Sequence, residues 1–497
     1  MPISHPDFAI LLVYLAAITI FGARFRRGQK DLRDYFLGGR TAPWWALACS
    51  IVATETSTLT IIGTPGIAYG GNLGFLQVVL GYVVARAILC VVLVPQYFQG
   101  EFYTAYQLLE KRFGKRMRSA AAAVFLGTRA LAEGVRIAAV GKVVSVAFGT
   151  ENRLSILIVG VLTMFYTFEG GMKAVIWTDV IQFGIYLTGS VAAFFLLLHR
   201  IPGGWGEVTQ VAAMSGGKLR VFDFAASLTQ SYTFWAGLIG GTFLTMASHG
   251  TDQTMVQRLL AARNKRDSQK ALLASGGIIF VQFALFLVIG VMLFVYGQQA
   301  GAAGSPGASL LAHARHDPDK IFPAFIVYDM PQGLAGLVLA AIFAVAMSNA
   351  SGSLNSLASS SMMDFARRGK NEGESGADAG RSLLLSRLLT VGWAIVLIGL
   401  GLVRWGPVLV AGLTIASITY GAMLGIFLLG TWNARANERG ALVGFGVGLA
   451  TMILVNRYTP LAWTWYVAAG TLVTFAAGSL ASLAGPGEAA ERENAKP

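Results

Sequence analysis

The chain has 497 residues, of which 55% are hydrophobic and only 13% charged. So little polar surface cannot cover a water-soluble globule of this length, which leaves a bilayer-embedded fold. The formal net charge of +13 does not mark a nucleic-acid binder, because the basic residues are scattered over short loops and not gathered into a soluble domain or tail.

Apolar stretches long enough to cross hydrocarbon recur along nearly the whole chain. In order they cover 6–25, 44–69, 72–98, 117–148, 154–168, 172–199, 232–257, 268–297, 321–365, 382–403, 405–430, 438–456 and 460–484. About thirteen transmembrane spans are predicted, and they are helices because strand-like alternation is absent. The first stretch, Phe8 to Phe21, has no basic region before it and no small-residue cleavage site, so it reads as an anchor. Cys49 and Cys90 both lie in apolar segments, which argues against a disulfide framework.

Basic residues concentrate in alternate loops: Arg24 to Arg40, Lys111 to Arg118, Arg258 to Lys270, Arg367 to Arg381, and Arg435 with Arg439. Roughly 25 Lys and Arg fall on that side against about 8 on the other, which predicts a plasma (inner) membrane protein with its N-terminus outside and its C-terminus in the cytoplasm. No linker separates soluble domains. Residues 1–485 are expected to form one transmembrane domain, with 486–497 as a cytoplasmic tail. The loop Gly369 to Gly380, rich in Gly and charge, is expected to be disordered.

Two spans are interrupted. Span 44–69 carries Thr54-Glu55-Thr56-Ser57-Thr58, then Gly63, Pro65 and Gly66. Span 232–257 carries Gly240-Gly241, then Ser248-His249-Gly250-Thr251-Asp252. These are corresponding places if one leading helix precedes two sets of five, and discontinuous helices at matching positions point to an inverted-repeat transporter with its site near the bilayer midplane.

Several motifs in this order resemble the sodium:solute symporter family. They are Asp34-Tyr35-Phe36-Leu37-Gly38-Gly39-Arg40; Gly63-Thr64-Pro65-Gly66; Thr104 with Tyr106, then Leu109-Glu110-Lys111-Arg112-Phe113-Gly114; Glu169 to Asp179; Thr251 to Ala262; and Met347 to Ser356. The resemblance implies an all-α polytopic membrane protein with a LeuT-type core, two inverted five-helix repeats whose first and sixth helices are discontinuous. It also implies sodium as the coupling ion. Matching motif to motif places the main sodium site at Ala53 and Thr56 on the first broken helix, and at Val345, Ser348 and Asn349 on the eighth core helix. Asn349 stands where relatives carry Ser or Thr, and its amide oxygen can also ligate sodium. In the family Asp179 lies near the cytoplasmic route of the ion or at a second site, to which Ser351 could contribute. Without the motif, Ser348, Ser351, Ser353 and Ser356 read as a small-residue helix interface.

The remaining polar residues admit two readings each. A carboxylate within a span is costly and needs a partner, so Asp179 reads as an ion ligand or as half of a salt bridge. Glu55 could coordinate a cation, accept a proton or bind solute hydroxyls beside Ser57 and Thr60, or it could hold the unwound turn. Arg129 and Glu133 are spaced for a helical ion pair, which would leave Arg136 free to take a solute carboxylate. Gln77, Tyr82 and Arg86, with Ser248 and His249, are candidate cavity residues; a satisfied core histidine is the plainer reading of His249. No zinc-binding His pair, phosphate-cradling loop or nucleophile triad occurs in a credible context, so no enzyme activity is expected. The reading is a sodium-coupled importer of a small polar solute. A sugar is the first choice and a carboxylate the second. A proton-coupled carrier and a membrane sensor of the same fold are the rivals.

Overall fold

The computed structural model describes residues 2–24, 37–99, 105–157, 171–298, 317–361 and 376–483, without the side chains of some helical positions, Ser348 and Ser351 among them. Span 154–168, most of the loop from Arg367 to Arg381, the 486–497 tail and the motif residues Asp34 to Phe36, Thr104, Glu169 and Gly170 fall largely or wholly outside the described residues.

The described elements are helical. Helix α1 runs His5–Arg24. The first interrupted span divides into α2 (Trp44–Glu55) and α3 (Thr58–Gly70), which meet at 64°. Then come α4 (Leu76–Val92), α5 (Ala105–Phe113), α6 (Lys115–Phe148), α7 (Gly171–Arg200) and α8 (Gly204–Met214). The second interrupted span divides into α9 (Phe234–Gly250) and α10 (Gln253–Leu260). The chain continues as α11 (Lys265–Gln298), α12 (Ile321–Asp329), α13 (Leu334–Ser360), α14 (Gly376–Gly401), α15 (Val408–Trp432), α16 (Glu438–Tyr458) and α17 (Tyr466–Leu483).

By length and apolarity, six described helices can each cross a bilayer, and the bent pair α2–α3 makes a seventh. The thirteen-span count is not reproduced on that measure, partly because α6 carries several charges and α9 is short. The overlong stretch 321–365 is in fact two helices. Between them stand Pro331, which cannot donate a helical hydrogen bond, and Gly333, whose φ of 87° only glycine adopts without strain. Residues 376–380, expected to be disordered, open α14.

The pair Gly240-Gly241 does not break its helix. α9 runs straight through it, and the break falls later, at Thr251-Asp252, where Asp252 accepts from the Thr254 N–H (2.8 Å) as an N-cap for α10. The glycines instead let α4 and α9 touch backbone to backbone. A Cβ on Gly81 would lie 2.6 Å from the Leu238 oxygen, one on Gly237 would lie 2.6 Å from the Gln77 carbonyl carbon, and one on Gly241 would collide with the Val78 oxygen. Gly237 and Gly241 are four apart, the small-residue spacing by which membrane helices approach closely.

The alternate loops gather at opposite ends. At the basic end, Arg112 donates to the carbonyls of Asn433 (3.0 Å) and Ala434 (3.1 Å), and Arg263 to Thr41 (3.1 Å). At the other end, Asp7 accepts from the N–H groups of Gly333 (2.6 Å) and Gly336 (2.8 Å), which caps α13. There Lys142 Nζ also reaches Asp317 Oδ1 (2.9 Å) and Asp319 Oδ2 (2.7 Å), while Asp319 Oδ2 accepts from Val408 N–H (2.9 Å). That cluster ties α6 to the segment before α12 and to the first turn of α15.

Candidate ion and solute site

The break between α2 and α3 rearranges its hydrogen bonds in a specific way. In a continuous helix the Ser57 N–H would bond to Ala53 O and the Thr60 N–H to Thr56 O. Here Ser57 N–H donates to Glu55 O (3.0 Å) and Thr60 N–H to Ser57 O (2.9 Å). The carbonyls of Ala53 and Thr56 thus lose their helical donors, and a buried carbonyl without a donor is a ready ligand for a hard cation. Thr56 is fully buried, and its hydroxyl accepts from Gln282 Nε2 (2.7 Å).

Across from the break stands α13. Val345 is buried on it. A small void of about 10 Å³ is bordered by Ser57 and Thr58 of the break, by Glu133, Arg136, Ile137 and Val140 of α6, and by Ala346, Asn349 and Ala350 of α13. The first broken helix and the Asn349 region of the eighth core helix are therefore neighbours. The side chains of Ser348 and Ser351 lie outside the described ones.

The main cavity, of about 170 Å³, joins the same break to α6, α9, α10 and α15. Glu55, Ser57, Thr60, Arg136, Ser248 and His249 all line it. Gln77 does not. Its Nε2 donates to Gly74 O (3.1 Å) and Tyr232 O (2.8 Å), and its Oε1 accepts from Asp223 N–H (2.9 Å), so it pins the loop before α9 to the start of α4.

Glu55 faces the cavity with its charge already matched. Arg86, wholly buried on α4, donates to Glu55 Oε2 and is held by Ser275 Oγ (3.1 Å) and Tyr82 O (2.9 Å). His249 Nε2 is 3.6 Å from the same carboxylate oxygen and 3.3 Å from Arg86 Nη2, while its Nδ1 is 2.9 Å from Ser248 Oγ. The Glu55–Arg86 pair could not be read from sequence, since 31 residues and a helix break separate its members.

On α6 the expected pairing is reversed. Glu133 Oε2 takes Arg136 Nη1 (3.0 Å), and Arg129 turns its Nε to Ser353 Oγ (2.9 Å) on α13. Spacing allowed Glu133 either partner. Ser353 decides, because it offers Arg129 an acceptor and donates to Glu133 Oε2 (2.8 Å). The Nε of Arg136 is buried without a hydrogen-bond partner among the described residues.

Asp179 lies apart from this cavity's lining. Its Oδ2 accepts from Ser50 Oγ (2.6 Å) and Arg258 Nη2 (3.0 Å), and Arg258 Nε donates to the same Ser50 (3.0 Å). The salt-bridge reading of Asp179 therefore describes this structure. It clamps α2, α7 and α10 together. At the opposite end the cavity is roofed by Phe75, stacked on Phe283 with ring centroids 5.4 Å apart, and by Leu409 lying against Gly63, where any Cβ would be 2.7 Å from the Leu409 Cβ.

A helical membrane fold with two discontinuous helices around a central cavity that carries polar and charged residues in its wall defines a LeuT-like secondary transporter. Comparison narrows this further. Residues 35–448 match the sodium:solute symporter family, and the chain belongs to that family. It is 30% identical over 482 residues to the sodium/sialic acid symporter of Proteus mirabilis, covering 95% of this chain and 94% of that one. It is 28% identical over 469 residues to the human sodium/iodide cotransporter, covering 90% of this chain and 68% of that one. Among solved structures, a Na+-coupled sialic acid symporter in a substrate-bound outward-open state matches with a TM-score of 0.81 and 28% identity, over 97% of this chain and 99% of that one. These relatives are sodium-coupled transporters and not enzymes, and sodium is the coupling ion of the family.

Proposed function

We propose that this protein imports a small hydroxylated carboxylate of the acidic-sugar class, driven by the sodium gradient across the plasma membrane and working by alternating access. The observation that carries the reading is a single cavity in which the unwound turn of the first broken helix faces Arg136 of α6. Arg136 receives the solute carboxylate through its Nη2, which its contact with Glu133 through Nη1 leaves open. Glu55, Ser57, Thr60, Ser248 and His249 receive the hydroxyls. Because Arg86 neutralises Glu55, that carboxylate acts as a hydrogen-bond acceptor without repelling an anion.

Sodium is held by the freed carbonyls of Ala53 and Thr56 together with Val345, Ser348 and Asn349. Its binding orders the unwound turn, and Ser57 and Thr60 on that turn then meet the solute correctly placed. Asp179, with Ser351, acts on the route from the ion site to the basic end, and its pair with Arg258 parts to let the ion leave. The basic loops face the cytoplasm, so the roof of Phe75 and Leu409 closes the external side. The similarity to sialic acid symporters supports the acidic-sugar class.

The test is uptake of radiolabelled sialic acid and of neutral hexoses into proteoliposomes, with and without an inward sodium gradient. Accumulation of the acid should require sodium, and Arg136→Met should raise its KM at least about tenfold, equivalent to about 1.4 kcal/mol. Accumulation driven by an acid gradient alone, or uptake indifferent to Arg136, would refute the proposal.

A further inference from the structure

The contact ion pairs around the cavity leave out two charged groups among the described residues, the cation Arg129 and the anion Asp252. Glu55 is matched by Arg86 and Glu133 by Arg136. Arg129 lines the same cavity, yet among the described residues no carboxylate lies within ion-pair distance of it, and its one hydrogen bond there is to the neutral Ser353. The other unpaired charge on the wall, Asp252, is occupied by the Thr254 N–H (2.8 Å) and the Tyr420 hydroxyl (3.0 Å). Glu133 and Asp252 act on Arg129 only from beyond contact distance, which leaves its burial incompletely offset, and an anion arriving from the cavity can pair with it directly.

Arg129 precedes Arg136 by seven residues, so the two share a face of α6 with their Cα positions about 10.5 Å apart along its axis. A carboxylate can therefore pass from one guanidinium to the other along that face. α6 begins at Lys115 in the basic end, which puts Arg129 on the basic-loop side of Arg136, beside Tyr106, Thr128 and Tyr420 of the lining.

We infer that Arg129 is a second carboxylate subsite, which takes the solute anion from Arg136 on its way to the basic-loop face. It rests on the anionic reading of the cavity proposed above. It makes the release route selective for anions and lowers the barrier for a carboxylate leaving its first partner, because the anion meets another guanidinium before it meets water.

The experiment measures initial rates of sodium-dependent exchange from each face of oriented proteoliposomes, using sialic acid and its neutral carboxamide. For the acid, Arg129→Gln should raise KM at least about tenfold from the basic-loop face and less than about threefold from the opposite face, with Arg129→Lys in between. For the carboxamide, Arg129→Gln should change neither. Equal effects on both faces, or an equal effect on the carboxamide, would show Arg129 to be merely structural and overturn the subsite. If the wild-type protein does not prefer the acid to its carboxamide, the anionic reading falls and the subsite falls with it. If Arg129→Gln does not fold, Arg129→Lys reads the same asymmetry, and a symmetrical response there counts against the subsite.

Discussion

Replacing Arg258 with Met should cost about 3–5 kcal/mol of stability and abolish transport, because it strands the Asp179 carboxylate in the interior. Both side chains are almost fully buried, and the Ser50 hydroxyl is a far weaker partner for the carboxylate than a guanidinium. The same clamp joins the first half of one broken helix to the second half of the other, so its loss also frees the two elements whose relative motion transport requires. The double variant Asp179→Asn/Arg258→Met should recover most of the stability, since no unpaired charge remains. A double-mutant cycle on thermal unfolding in detergent checks this. Losses that simply add would mean the pair is not coupled.

Arg86→Met should do comparable damage, again about 3–5 kcal/mol. Arg86 is fully enclosed and holds Glu55, Ser275, the Tyr82 carbonyl and His249 together across α2, α4, α9 and α11. Adding Glu55→Gln should restore the fold without restoring uptake, because the acceptor that Glu55 presents to the cavity has been changed. Recovery of both by the double variant would make Glu55 a structural residue with no part in solute binding; it is read out by pairing thermal unfolding with uptake in the same preparations.

Much of this architecture is legible in the chain because a bilayer punishes unsatisfied backbone, so apolar length alone marks helices. The break at Glu55 to Ser57 is equally readable, since a run of hydroxyls and an acid inside an apolar span sets polar groups where lipid cannot satisfy them. The break near Thr251 is readable for the same reason, but Gly240-Gly241 is the wrong signal within that segment. Glycines interrupt a helix or let another backbone approach it, and only the position of α4 distinguishes the two. The stretch 321–365 reads as one element because Pro331 and Gly333 are flanked by apolar residues on both sides.

The cavity lining is legible in several of its members and much less so in their pairing. Glu55, Arg136, Ser248 and His249 reach one cavity as their places in the broken and third core helices suggest, while Gln77, on a helix that also borders it, turns to the loop at 223–232. Glu133 has an arginine at three residues and another at four, and nothing in that spacing chooses between them. Ser353 does, from a helix more than two hundred residues away. The Lys142–Asp317–Asp319 cluster is hidden for the same reason, because its acids sit in a polar loop where charges are ordinary.

An ion in the unwound turn and a solute in the cavity should feel one another. This coupling is tested most directly by measuring solute affinity with sodium and with choline, and sodium affinity with and without solute, by tryptophan fluorescence of the purified protein. Sodium should tighten solute binding at least about tenfold, and solute should tighten sodium binding by the same factor, as linkage demands. Solute affinity that is identical in sodium and choline would contradict the account.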